Sequence, residues 1–375
     1  MDPTQLLAPL SPLGSPAPYW FLVLFKILGF TLHMTAMHLW YAGPVVALLL
    51  CWRGGTHAAV LSSRFMKQLP VIVAYGVNFG IVPLLFTQLA YYRVFYPATI
   101  LMAWPWFSVF VLLTFAYYGV YLYAGGLHHQ MTRFRQAAGW AAAVGFIVIG
   151  FLFANSFSLM TNVPAWPGLW ESTSVAGAPT GTALNTADPT LWPRWLMMFG
   201  LALTTTAAYL ALDAGVFAAA EGAAYRSWVS RFALKLYSVG SVWFAVTGAW
   251  YVFGTWQPSV RHDMFSGPLL VLTVLTAFSP GLPWLFLVAQ VRAGGLRRGL
   301  GFAAAFAQFD VLAFNAVSRQ VVQNLELRPF LDAAAEPVHM QWSPLLLFLA
   351  LFVSGLAVIL WMVRKVIAAA PSTPA

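Results

Sequence analysis

The sequence predicts an all-α polytopic membrane protein of about nine transmembrane helices, with its N-terminus outside and its C-terminus in the cytoplasm. Three observations predict this. Of 375 residues, 61% are hydrophobic and only 8% charged, with a mean hydropathy of +0.76, whereas a soluble domain carries about 25% charged residues. The apolar residues fall in runs of the roughly 20 residues that a helix needs to cross a bilayer. The basic residues collect in alternate gaps between those runs, as cytoplasmic loops do.

The runs lie at about 20–52, 69–91, 98–125, 137–161, 193–218, 232–254, 266–291, 298–318 and 343–366. The segment before the first, 1–19, is Pro- and Ser-rich and lacks the basic stretch of a cleavable signal, so the first run is expected to remain as a helix. Runs three and four are separated by GGLHHQMTRFRQ. Runs four and five are separated by a long loop, 162–192, rich in Gly, Pro, Thr and Ala. Its Trp166, Trp170 and Trp192 suit the water–lipid boundary. A second outer loop is expected at 319–342, which leaves one helical domain over 20–367 and a cytoplasmic tail at 368–375.

Orientation follows from the bases. Odd-numbered loops and the C-terminal end hold Arg53, Arg64, Lys67, Arg133, Arg135, Arg226, Arg231, Lys235, Arg292, Arg297, Arg298, Arg364 and Lys365. Even-numbered loops hold Arg93, Arg194, Arg261, Arg319 and Arg328, a ratio of 13 to 5 that puts the N-terminus out. The net charge of +9 is accounted for by these loops, so the partner it implies is the lipid bilayer and not nucleic acid. The single cysteine, Cys51, excludes intrachain disulfides and a c-type haem motif. No phosphate-binding loop, HExxH motif, inverted repeat or discontinuous-helix pair is evident.

Ionisable groups inside a span are costly and usually functional. His33 and His38 sit in the first run, in LHMTAMHLWYAGP. Five residues separate them, about 140° around a helix, so they face different neighbours. Met37 shares the face of His33. An imidazole here either bonds a carbonyl or hydroxyl of a neighbouring helix or acts as an axial haem ligand. In the eighth run Gln308, Asn315 and Arg319 are spaced to line one face, with Asp310 about 200° from Gln308. The stripe reads as interhelical hydrogen bonding, as a polar path, or as a seat for a propionate or quinone head-group held by Arg319. Asp310 is a candidate proton relay. Asp213 and Glu221 are expected to be solvated at the inner boundary and Lys26 to snorkel outward. His57, His128, His129, His262 and His339 fall in loops or at span ends, and Asn78, Gln88 and Asn155 are buried amides that need partners.

These ordered features resemble the large, quinol-oxidising subunit of cytochrome bd oxidases, over roughly residues 20–365. TAMHLWYAGP matches the family's haem-ligating stretch in the first span and carries that role onto His38. YGVNFGIVP, with Asn78, is similar to its second-span signature, and FLFANSFSLMTNVP, with Asn155, to the motif ending its fourth. NAVSRQVVQNLEL places Arg319 and Gln320 on its Gly-Arg-Gln motif. The departures are as specific. The third span has no acid where the family has paired glutamates, and a glutamate haem ligand meets Asn315 or Ala316. The low-spin haem's histidine meets the WLMMFG run, and its methionine meets leucines around Leu269. The quinol-binding loop between spans six and seven shrinks to about 255–265.

The resemblance implies a bd-like subunit of a respiratory electron-transfer complex in the bacterial cytoplasmic membrane, not reducing oxygen by itself. It would handle electrons between a quinol or haem and an outer-face cytochrome c-type partner. The alternatives are a haem-free anchor for redox subunits and a proton or ion transporter using Asp310. The cofactor readings are one haem b with His38 on the iron, a quinone, or none. The protein partners implied are other membrane subunits, including a second bd-like one.

Overall fold

The computed structural model describes residues 2–294 and 297–369; residues 370–375 of the expected tail lie outside it. Among the described residues, nine helical stretches are long and apolar enough to cross a membrane, so the all-α polytopic class is borne out. The elements are α1 (Tyr19–Arg53), α2 (Thr56–Ala90), α3 (Tyr92–Leu101), α4 (Ala103–His128), α5 (Arg133–Thr161), α6 (Trp166–Ser172), α7 (Leu191–Val216), α8 (Gly222–Ala249), α9 (Pro258–Met264), α10 (Gly267–Phe278), α11 (Gly281–Arg292), α12 (Arg298–Leu327) and α13 (Trp342–Ala369). We call the two ends of the bundle the loop end, which carries the 162–190 connection, and the basic end, which carries Arg53, Arg133 and Arg298.

Helix ends differ from the apolar runs because a charge stops an apolar run but does not stop a helix. Arg, Lys and Gln are good helix formers, so α2 starts at Thr56, just past the Gly54–Gly55 break, and carries Arg64 and Lys67 on its first turns. α12 likewise runs on to Leu327 and ends before Pro329, whose ring leaves no backbone N–H to continue the ladder. The expected loop 319–342 therefore shortens to 328–341, and Arg319 sits eight residues, about 12 Å, inside the helix end.

The seventh span is interrupted: α10 and α11 meet at Ser279–Pro280, where the ring removes a backbone donor and blocks the regular ladder. The sixth ends in a π-helical turn, Trp250–Thr255.

Packing between spans relies on aromatic side chains seated in glycine notches. A Cβ on Gly76 would lie 2.3 Å from Trp40 Nε1, and one on Gly43 would lie 2.1 Å from the Phe65 ring, so α1 and α2 interlock reciprocally. Tyr41 fills the notch at Gly150 of α5 and Tyr123 of α4 that at Gly139. Between α7 and α8 the backbones themselves touch at Gly200 and Gly240, the close approach that small residues permit in membranes.

The 162–190 connection is folded: α6, then a two-residue hairpin, Ser174–Val175 with Ala178–Pro179. Gly177, at φ +83°, supplies the left-handed turn. α13 is the outlier. Its most apolar stretch has no buried residue, and it leans on the bundle through Phe348 and Phe352 against Phe25 and Phe86.

Candidate functional site

The two intramembrane histidines face different helices, as their spacing requires. His38 points to α7 and is fully buried. Its Nδ1 lies 3.1 Å from Thr205 Oγ1. That hydroxyl donates to Leu201 O (2.8 Å) and accepts from Gln308 Nε2 (3.1 Å), so its remaining lone pair accepts from His38 Nδ1–H. The proton is thereby fixed on Nδ1, and Nε2 carries the lone pair. Gln308 Nε2 also donates to Thr204 Oγ1, and Gln308 Oε1 accepts from Tyr237 OH at 2.7 Å. One buried network thus joins α1, α7, α8 and α12. Thr205→Val removes its central hydroxyl. We expect a loss of about 1–2 kcal/mol, read as a lower thermal midpoint in detergent; an unchanged midpoint would show that the network does not couple the helices.

His33 points to α2. Its Nδ1–H donates to Gly76 O at 2.7 Å, and its ring lies across Gly80, where a Cβ would approach to 2.9 Å. Gly76 and Gly80, one turn apart, form its seat. The imidazole is half-buried, and its Nε2 makes no hydrogen bond within the described residues.

Towards the loop end, the sequence expectation for Lys26 is corrected. It does not snorkel. Its Nζ donates to Gln320 Oε1 (2.7 Å) and Gln323 Oε1 (3.0 Å) and lies 4.4 Å from the Tyr91 ring centroid, because α12 continues past the expected span and brings these amides within reach. Tyr19, Tyr91, Gln320 and Asn324 complete the cluster. Arg319 stands beside it on an exposed position, its guanidinium between the rings of Phe30 (4.5 Å) and Phe157 (4.6 Å), with no carboxylate partner among the described residues. Two basic side chains thus share this level without an acid between them among the described residues.

At the basic end, Asp213 and Glu221 are paired, not simply solvated. Arg64 of α2 donates to both oxygens of Asp213 (3.1 and 2.8 Å) and to Glu221 (3.2 Å). Gln68 and Tyr209 extend this cluster inward. Thr205, Tyr209 and Asp213 recur every four residues and so share one face of α7.

The expected polar stripe of α12 is not a continuous path. Gln308 belongs to the His38 network, Asn315 bonds back to Val311 O of its own helix (2.9 Å) and Arg319 stacks on α1 and α5. Asp310 joins none of these groups. Met37 is packed in the apolar core. Asn155 anchors the long connection by accepting from Asn185 N (3.1 Å), and Asn185 in turn binds Ser158 and Asp188.

A haem iron needs a lone-pair nitrogen and room for the porphyrin. His38 supplies the first: Nε2 is unpartnered and its tautomer is set by Thr205 in the way that second-shell bonds orient metal ligands. It lacks the second. The atom is sealed from any water-sized space, and Trp40 and Tyr41 beside it in the chain already occupy the neighbouring notches. Among the described residues no three His, Cys, Asp or Glu side chains converge on a metal position. The donor fits a haem; the packing around it does not.

This geometry defines a helical membrane protein, with nine spans among the described residues, whose polar groups serve mainly helix–helix bonding. No family profile and no curated protein matches the sequence. Among solved structures, it is similar to the bd oxidase from Geobacillus thermodenitrificans, with a TM-score of 0.67 at 13% identity, covering 94% of this chain and 98% of that one. The likeness shows a bd-oxidase-like fold over nearly the whole chain.

Sequence reasoning missed Thr205, Tyr237, Arg64 and the Gly76–Gly80 seat. The run Thr204-Thr205-Thr206 within an apolar span was the available signal for the first.

Proposed function

We propose that this chain is an integral membrane subunit of a respiratory electron-transfer complex of the bd type, supporting a cofactor-bearing membrane partner and not reducing oxygen itself. The observation that carries this is the combination of the bd-oxidase-like fold with a sealed His38. The sequence agrees: α4 has no acid, and Asn315 or Ala316 stands where the resemblance expects a glutamate ligand. The basic end then lies in the cytoplasm, and the 162–190 and 328–341 connections lie outside, where a cytochrome c-type protein would dock. The transporter reading loses support, because Asp310 is not connected to any polar chain.

The test is the spectrum and subunit composition of the natively purified complex. We expect the chain to co-purify with a haem-bearing subunit, and the chain expressed alone to show no Soret band. A Soret band in the isolated chain that His38→Ala abolishes would overturn the proposal.

One observation favours a second reading, in which the chain holds a single haem b or a quinone through His33. That imidazole keeps an uncommitted Nε2, and Arg319 lies across Phe30, one turn away on α1. A haem there would supply one-electron redox chemistry, with Arg319 placed for a propionate. His33→Ala would remove its absorption while His38→Ala would not.

A further inference from the structure

Asp310 has no partner among the described residues. It lies twelve residues along α12, about 18 Å from its start, near the centre of a hydrocarbon layer about 30 Å thick. At 100° per residue, Ala303, Phe306, Ala313 and Val317 lie within about 60° of it. Phe306 is 70% exposed and the other three are half-buried. The opposite face, with Ala304, Gln308, Val311 and Leu312, is buried in the bundle. Ala307, also about 60° away, is buried and Asp310 itself is half-buried, so the carboxyl stands at the edge of the outward face of α12, on the side of Phe306.

Nothing among the described residues compensates it. Among the described residues Asp310 makes no hydrogen bond or ion pair, and unlike Asn315 it does not bond back to its own helix. Arg319 is nine residues away, half a turn round the helix, and held between Phe30 and Phe157. Arg298 lies at the far end of α12. A carboxyl is too short to reach the headgroups from this depth, as Lys and Arg can. Intramembrane acids face a bundle interior or a partner, not lipid.

We infer that this face of α12 receives a transmembrane helix of a partner subunit that presents an Arg or Lys side chain to Asp310 at mid-membrane. Ala303 and Ala313, above and below the carboxyl, leave the backbone open to close approach. The apolar flank of Phe306 would exclude lipid from the pair. The inference rests on the proposal that the chain is a subunit; it adds which surface is used and what chemistry meets it.

The experiment uses the full chain, tagged and purified from its native membrane in mild detergent, as wild type, Asp310→Asn and Asp310→Leu. We expect the partner's yield to fall at least tenfold with Asp310→Leu and less with Asp310→Asn, while the chain's own amount and thermal midpoint hold. A photo-cross-linker at position 313 should capture a partner segment containing a basic residue within an apolar run; one at position 242 on α8 should not. Replacing that basic residue by Leu should reproduce the loss, and exchanging the two charges should restore assembly. Wild-type stoichiometry with Asp310→Leu would overturn the inference, as would cross-links only to lipid or to a second copy of this chain. If wild-type chain brings down no membrane partner, the subunit proposal fails first, and the inference with it.

Discussion

Gly240→Leu is expected to separate the fifth and sixth spans and lower stability by about 3 kcal/mol, the upper range for forcing atoms into a packed interior. A Cβ at 240 would lie 2.9 Å from Gly200 O, and one at 200 would lie 2.8 Å from Phe244 N. Both obstacles are backbone and cannot swing aside. Gly248→Ala is the control, on the same helix: its nearest neighbour would be Met197 Sδ at 3.6 Å, ordinary contact. Thermal unfolding in detergent should show a large shift for the first and almost none for the second. Equal shifts would mean that general helix propensity governs the outcome, not the α7–α8 contact.

Glu326→Ala is expected to cost a similar amount, about 3 kcal/mol, because it strands a guanidinium. Arg194 of α7 pairs with Glu326 of α12 and donates to Tyr251 OH at 2.9 Å. The two charged side chains are only 19% and 14% exposed, and removing one member of a buried pair leaves the other uncompensated. Asp263→Ala breaks the Arg328–Asp263 pair, whose arginine is 64% exposed, and should cost under about 1 kcal/mol. Comparing the two thermal midpoints checks the claim; a smaller effect at Glu326 than at Asp263 would refute it.

The nine spans were legible in the sequence because length and hydropathy are local quantities. Their ends were less so. The apolar runs stopped at Lys67 and Arg319, whereas the helices stop at Gly54–Gly55 and Pro329, where backbone geometry changes. The divergence of His33 and His38 followed from five residues at 100° each, and the structure sends them to α2 and α7 accordingly. Their partners were not legible. Thr205 is 167 residues from His38, and no periodicity reports which helix becomes a neighbour. Lys26 shows the same limit: snorkelling was the local solution, but Gln320 and Gln323, almost 300 residues on, offered a nearer one. The Pro280 interruption could have been read directly from FSPGLP, since proline inside an apolar run removes a ladder bond wherever it falls.

The interlock of α1 with α2 bears on biogenesis. Trp40 in the Gly76 notch, Phe65 in the Gly43 notch and the His33–Gly76 bond all close within the first ninety residues, across a connection of two glycines. Contacts so near in sequence form early. The pair can therefore close as a hairpin in the membrane while the remaining spans are still being synthesised, leaving His38 and Tyr41 to be covered when α7 and α5 arrive.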